Sequence, residues 1–93
     1  MITGSVLLIN IRIVNGGHLR ITSITTLWNE SQITVENGGT LTIDGGTLNN
    51  ARITFNIGSI LNIQNGGIVK KAADEDFYVP VGTSVNITSG KIL

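Results

Sequence analysis

The sequence predicts an all-β fold, a single right-handed parallel β-helix in which each turn of the coil contributes short strands. Three observations predict it: apolar and polar side chains alternate over short runs, glycine separates successive runs, and the pattern returns about every 20 residues. An amphipathic helix would place its apolar positions every 3.6 residues and not every second residue. The chain therefore belongs to the β class, with short strands and tight turns.

Each copy of the repeat consists of an apolar-x-apolar run, a glycine, and a second apolar-x-isoleucine run. The apolar positions of the four copies are Ile11, Ile13, Leu19 and Ile21; Ile33, Val35, Leu41 and Ile43; Ile53, Phe55, Leu61 and Ile63; and Phe77, Val79, Val85 and Ile87. The glycines are Gly16, Gly38, Gly58 and Gly82, at intervals of 22, 20 and 24 residues. A meander of hairpins does not require the same glycine at every second turn. In a solenoid each turn has the same shape, so the same residue type recurs at the same corner.

We therefore expect about four rungs of 20–24 residues, stacked about 4.8 Å apart, with the apolar positions forming four inward columns. Crossovers between parallel strands are right-handed in nearly all proteins, so the coil should be right-handed. The residues between the apolar positions should face outward, and they are Arg12, Thr34, Thr54, Tyr78, Arg20, Thr42, Asn62 and Asn86. Asn15 and Asn37 precede corner glycines and are expected to form a short amide ladder.

Three copies add an apolar residue five positions after their last isoleucine, namely Leu48, Ile68 and Ile92. Two segments break the rung length and are expected as loops, residues 22–32 and residues 69–76. Loops of this kind are where solenoids carry functional residues. We interpret residues 1–93 as a single domain, with 1–9 as an N-terminal cap or the continuation of a longer coil and 10–93 as the rungs.

Composition argues against several classes of function. Six basic and six acidic residues give a net charge of zero, so nothing favours binding to nucleic acid or to an anionic membrane. One histidine and no cysteine cannot form a zinc site of the His/Cys type within one chain. The absence of cysteine leaves the redox compartment open.

No catalytic residue is predicted. His18 is expected as a solvent-facing turn residue, and the sequence holds no Gly-x-Ser-x-Gly motif to supply a nucleophile. Asp44 precedes Gly45-Gly46 and is expected to form a turn, although it is one of the few carboxylates from which a glycosidase pair could be drawn. We therefore predict a non-enzymatic protein with no cofactor.

The run Asp74-Glu75-Asp76 offers oxygen ligands to calcium, but it lacks the glycine-interleaved spacing of known calcium loops. Lys70 and Lys71 stand close before it, so a self-neutralising solvated loop is expected and no metal is predicted. Weak ligand-binding candidates remain. Trp28 could stack on a sugar ring or instead fold over the side of the coil, and the outward Thr34, Thr54, Asn62 and Asn86 could match a repeating polymer.

Residues 33–51 (ITVENGGTLTIDGGTLNNA) and 77–87 (FYVPVGTSVNI) resemble rungs of the parallel β-helix regions in large secreted bacterial surface proteins. Such regions accompany type IX secretion cargo and are similar in fold to the pectate-lyase-like superfamily. Trp28 ahead of Ile33-x-Val35 also resembles the tryptophan that precedes a rung there. The resemblance covers about residues 10–93 and implies a fold and an extracellular or cell-surface location. No catalytic carboxylate or calcium ligand of the lyases has a matching position.

The function expected from these observations is a non-catalytic structural or display module of a larger secreted or surface bacterial protein. The alternative is a glycan-binding or adhesive module that uses the outer strand face and the Trp28 loop. The expected partners are neighbouring domains of a longer chain or a second copy stacked end to end, with a polysaccharide under the alternative. Gly4 to Ile9 and Ile92-Leu93 are expected either to stack on another copy or to continue into a longer coil, because an open coil end exposes unpaired backbone groups.

Overall fold

The computed structural model describes residues 6–73 and 75–93. Within them every regular element is a β-strand and every strand pair is parallel. Three sheets follow one another around the coil. Sheet 1 contains β2 (Ile11–Ile13), β5 (Ile33–Val35) and β8 (Ile53–Phe55). Sheet 2 contains β3 (His18–Ile21), β6 (Thr40–Asp44), β9 (Ile60–Gln64) and β11 (Ser84–Ile87). Sheet 3 contains β1 (Val6–Leu8), β4 (Ile24–Leu27), β7 (Thr47–Ala51), β10 (Gly67–Lys71) and β12 (Gly90–Ile92).

The prediction of an all-β solenoid of about four turns is confirmed, and so is the register of sheet 2 and of the first three rungs of sheet 1. Ile43 pairs with Ile21 on one side and with Ile63 on the other. Both Ile43 and Ile63 are fully buried, and so are the leucines of the neighbouring column, Leu41 and Leu61. The core is thus a stack of aliphatic layers enclosed by the three sheets.

Sheet 3 corrects two expectations. The segments 22–32 and 69–76 were expected as loops, but the first contains β4 and the second contains the end of β10. Leu48 and Ile68 occupy the same position of the sequence repeat, but Leu48 pairs with Val69, which is fully buried. The reason is one extra residue in the third rung: Asp44 pairs with Gln64 and Thr47 pairs with Ile68, so three residues separate the paired positions there and two in the rung before.

The fourth rung leaves sheet 1. Phe77 to Val79 repeat the apolar-x-apolar pattern but form no strand, and no backbone hydrogen bond joins described residues of 75–81 to β8. In the rung below, the Asn56 N–H donates to the carbonyl of Val35 at 2.9 Å. Pro80 takes the equivalent place and has no N–H, so this bond cannot form. Phe77 keeps an edge-to-face contact with Phe55, with ring centroids 6.0 Å apart.

The corners are crossed by side chains that reach from one rung to the next. Asn15 Oδ1 lies over the α-carbon of Gly38, and Asn37 Oδ1 lies over that of Gly58, so a Cβ at either glycine would clash. Both glycines have positive φ, +80° and +86°, which other residues adopt at a cost. No hydrogen bond joins the two asparagines within the described chain, so the expected amide ladder is replaced by this asparagine-over-glycine contact.

The two ends of the coil differ. At the N-terminal end β1 pairs with β4, and Ile13 and Ile21 are only 4% exposed. At the C-terminal end the equivalent Val79 and Ile87 are 44% and 46% exposed. Gly4 and Ser5, which were expected at the N-terminal stacking end, lie outside the described residues. The part of the chain described contains no helix long and apolar enough to cross a membrane.

Candidate functional surfaces

A row of polar side chains crosses the outer face of sheet 2. His18 Nε2 lies 2.8 Å from Thr42 Oγ1, Asn62 Nδ2 donates to the same oxygen at 3.4 Å, and Asn86 Nδ2 donates to Asn62 Oδ1 at 3.0 Å. His18 is exposed as expected, but it begins β3 and does not lie in a turn. Thr42 faces outward and is nevertheless only 4% exposed, because the neighbouring rungs cover it. The row therefore joins the four strands of sheet 2 through side-chain hydrogen bonds.

Asp44 ends β6 and is held by two partners. Its carboxylate accepts hydrogen bonds from Asn65 Nδ2 and from Arg20 Nε, the latter at 2.8 Å, and it forms an ion pair with the same arginine. The hydrogen bond from Asn65, followed by that from Arg20, lowers the pKa of Asp44 below its usual value. A general acid must hold a proton at working pH, and these contacts oppose that. The predicted turn residue is thus a strand residue that ties three rungs together.

The outer face of sheet 1 is smaller and is also internally bonded. Thr34 and Thr54 lie side by side on adjacent strands, as predicted. Thr54 Oγ1 lies 3.1 Å from Gln32 Oε1, to which the hydroxyl donates. Arg12 Nε donates to Glu36 Oε2 at 2.6 Å at the edge of this face. Only Thr54 of the two threonines is largely exposed.

Trp28 lies at the corner between sheets 3 and 1, directly after β4. Its backbone N–H donates to the carbonyl of Leu8 at 2.8 Å, and its side chain is 56% exposed. Asn50 Nδ2 donates to the carbonyls of Leu27 and Asn29, at 2.9 and 2.8 Å, and so fixes the backbone on both sides of the tryptophan. The corner presents an aromatic side chain on a well-anchored backbone.

The candidate binding residues do not form one site. Trp28 is at a corner, Thr34 and Thr54 are on sheet 1, and Asn62 and Asn86 are on sheet 2. Sequence reasoning placed them all outward but could not say how far around the coil each one lies. A ligand that touched all five would have to wrap around the coil.

The acidic segment forms no metal site within the described residues. Asp76 lies 3.7 Å from Lys71, an exposed ion pair, and Asp74 lies outside the described part of the chain. No group of three His, Cys, Asp or Glu side chains among the described residues is placed to hold a metal ion. The predicted self-neutralising loop is thus represented by one lysine–aspartate pair.

Sequence reasoning missed a hollow of about 440 Å³ at the C-terminal end of the coil. Its lining is mainly apolar and consists of Phe55, Leu61, Phe77, Val79, Val85 and Ile92, together with the charged Lys71 and Asp76. The hollow exists because the fourth rung does not close over β8. The available signal was Pro80, in a place where the repeat needs a backbone donor.

Comparison with known proteins finds no matching family model, no matching curated protein and no matching solved structure. The likeness to β-helix proteins therefore stands at the level of the fold, a parallel β-solenoid of about four turns.

Proposed function

We propose that the chain is a non-catalytic structural or display module of a larger secreted or surface protein. One observation carries this proposal: several polar side chains on the outer faces of sheets 1 and 2 form hydrogen bonds with side chains of neighbouring rungs. The Arg20–Asp44–Asn65 cluster and the Thr42–Asn62–Asn86 row both run along the coil axis. Such contacts stiffen the coil and leave few free groups for catalysis.

The extracellular or cell-surface setting belongs to the same proposal. It is supported by the likeness of residues 33–51 and 77–87 to rungs of secreted bacterial β-helix regions, including those of type IX secretion cargo. Neighbouring domains of a longer chain are the proposed partners. Neither nucleic acid nor a membrane is proposed, since the net charge is zero.

Rigidity is the property that a spacer or display module requires, and it can be measured. The chain has no cysteine, so His18→Cys on β3 and Asn86→Cys on β11 would place two spin labels on one face, three rungs apart. The backbone separation should be roughly 14 Å, from the spacing of parallel strands. A narrow distance distribution between the labels is expected, while a broad or multimodal one would contradict a rigid spacer. Asn62→Cys with Asn86→Cys gives the adjacent-rung control.

A glycan-binding module is the second candidate, favoured by the exposed Trp28 on its anchored corner. Trp28 is the only tryptophan, so its fluorescence reports on this corner alone. Titration with neutral and acidic glycans, with and without calcium, should give no saturable change if the module is structural only. A saturable change, with binding by calorimetry lost in Trp28→Ala and retained in Asn86→Ala, would establish the second candidate in place of the first.

A further inference from the structure

Four positions of the sequence carry an asparagine or an aspartate directly before a glycine. They are Asn15-Gly16, Asn37-Gly38, Asp44-Gly45 and Asn65-Gly66. Such dipeptides are prone to cyclise, because the backbone nitrogen of the following residue attacks the side-chain carbonyl carbon and glycine has no Cβ to obstruct the approach. Every other asparagine and aspartate of the chain precedes a residue with a side chain. The most reactive dipeptide therefore occurs only at corners of the coil, between sheets 1 and 2 or between sheets 2 and 3.

At all four positions the N–H of the glycine donates a hydrogen bond to the next rung. The bonds are each 3.0 Å long and lead from Gly16 to the carbonyl of Gly38, from Gly38 to that of Gly58, from Gly45 to that of Gln64 and from Gly66 to that of Ser89. The nitrogen must lose its proton before it can attack, and a proton held in such a bond is released only when the structure opens locally. The attacking atom of each dipeptide is therefore protected by the rung that follows it.

The side chains of the three asparagines are also held by a neighbouring rung. Asn15 Oδ1 lies over Gly38 and Asn37 Oδ1 lies over Gly58, one rung further along the coil. Asn65 Nδ2 donates to a carboxylate oxygen of the rung before it. Cyclisation requires the side-chain carbonyl carbon to swing to the nitrogen of the following residue, so these contacts must break as well. The restraints on both reacting groups thus depend on the same stacking of rungs.

We infer that Asn15, Asn37 and Asn65 are latent sites of spontaneous deamidation, which the stacking of rungs keeps unreactive in the folded coil. Where a corner opens, the glycine nitrogen forms a bond to Cγ and gives up its proton, the bond from Cγ to the side-chain nitrogen breaks, and ammonia leaves. Water then opens the succinimide ring to aspartate or isoaspartate.

The products of this reaction change the corner. In the succinimide the glycine nitrogen carries no hydrogen, so it cannot donate to the next rung. Isoaspartate lengthens the backbone of the corner by one carbon atom, and aspartate at position 37 would place a carboxylate over Gly58, where an amide lies now. A corner that has stayed open is therefore marked permanently. This inference concerns the chemical durability of the coil and does not depend on the proposed function.

Peptide mapping by mass spectrometry measures the reaction at each site. The wild-type chain is incubated in mildly alkaline buffer, either folded or unfolded in urea, and is then cut with trypsin. Asn15, Asn37 and Asn65 fall in separate peptides, residues 13–20, 21–52 and 53–70. Conversion of the amide to the acid should be slower by about 100-fold or more in the folded chain than in urea.

Glu30→Gly supplies a control within the folded molecule. It places a glycine after Asn29, in the exposed turn that follows Trp28, where the N–H of Glu30 donates to no other described residue. Asn29 should therefore deamidate in the folded variant at nearly the rate of the unfolded chain. Asn37 lies in the same tryptic peptide and should stay intact.

Three results would overturn the inference. They are equal rates for the folded and unfolded wild-type chain, slow conversion of all three sites in urea, and slow conversion of Asn29 in folded Glu30→Gly. If that variant does not fold, hydrogen exchange of the wild-type chain decides. The amides of Gly16, Gly38 and Gly66 should be protected, and the order of their protection should match the order of the deamidation rates. Rapid exchange at a glycine whose asparagine stays intact would show that the hydrogen bond is not what protects the corner.

Discussion

Truncating the central core column should destabilise the coil strongly. Ile43 is fully buried and lies between Ile21 and Ile63. Ile43→Ala therefore leaves a void that neighbouring rungs cannot fill. Loss of about three buried carbons costs roughly 2.4 kcal/mol in transfer free energy. The cavity adds about 1.5 kcal/mol, for a total near 4 kcal/mol. A chain of this length is expected to have an unfolding free energy of about 5–14 kcal/mol, so the variant loses a large share of it.

Urea unfolding followed by circular dichroism measures this loss, at a concentration at which the chain is monomeric. Ile24→Ala provides the control, because Ile24 is 54% exposed on the outer face of β4. Its unfolding free energy should fall by less than about 1 kcal/mol. If both variants lose the same stability, or if Ile43→Asp remains folded, the assignment of Ile43 to the inward column is wrong.

Three further changes test separate contacts. Ser59 is fully buried and its Oγ has no hydrogen-bond partner among the described residues, so Ser59→Ala should raise the unfolding free energy by about 1 kcal/mol in the same assay. The pKa of Asp44 is lowered in the folded chain. Its contribution to stability is therefore present above about pH 4, near the unfolded pKa, and is lost as the pH falls through the folded pKa. Asp44→Asn should make the unfolding free energy depend less on pH in this acidic range. Pro80→Asn restores the donor that Asn56 supplies one rung below, and hydrogen exchange should show new protection of the Tyr78 amide.

Each of these expectations has a result that contradicts it. A less stable Ser59→Ala would show that the hydroxyl has a partner. An unchanged acid limb in Asp44→Asn would mean that the Arg20 and Asn65 contacts contribute nothing to folding. Rapid exchange at Tyr78 in Pro80→Asn would show that the missing donor is not what keeps the fourth rung from β8.

Sheets 1 and 2 could be predicted from sequence because their inward and outward residues differ in polarity. Ile33, Thr34 and Val35 show this alternation without ambiguity. Sheet 3 could not, since its outward positions include Ile24, which is 54% exposed, and its inward positions include Thr25, which is 3% exposed. Where polarity does not follow burial, hydrophobic periodicity carries no information about the strand.

The lateral surfaces were predictable in type but not in arrangement. Period-two alternation placed Thr54 and Asn62 outward, but the angle between sheets that separates them depends on corner geometry. The role of Asp44 was hidden for a different reason. Its partners Arg20 and Asn65 lie 24 and 21 residues away, and only the stacking of rungs brings them together.

The asparagine-over-glycine contact is the same at two successive corners, so neighbouring rungs join one another in the same way. A rung that carries Asn37-Gly38 receives Asn15 from the rung before it and supplies Asn37 to Gly58 in the rung after it. The asparagine of this dipeptide covers the glycine of the next rung, and its glycine is covered by the asparagine of the rung before. A rung duplicated or deleted as a unit would therefore leave an asparagine over each of these glycines. The third rung uses the same arrangement with another side chain, since Ile57 Cγ2 lies over Gly82. Coils built in this way can change length by gene duplication without redesign of their corners.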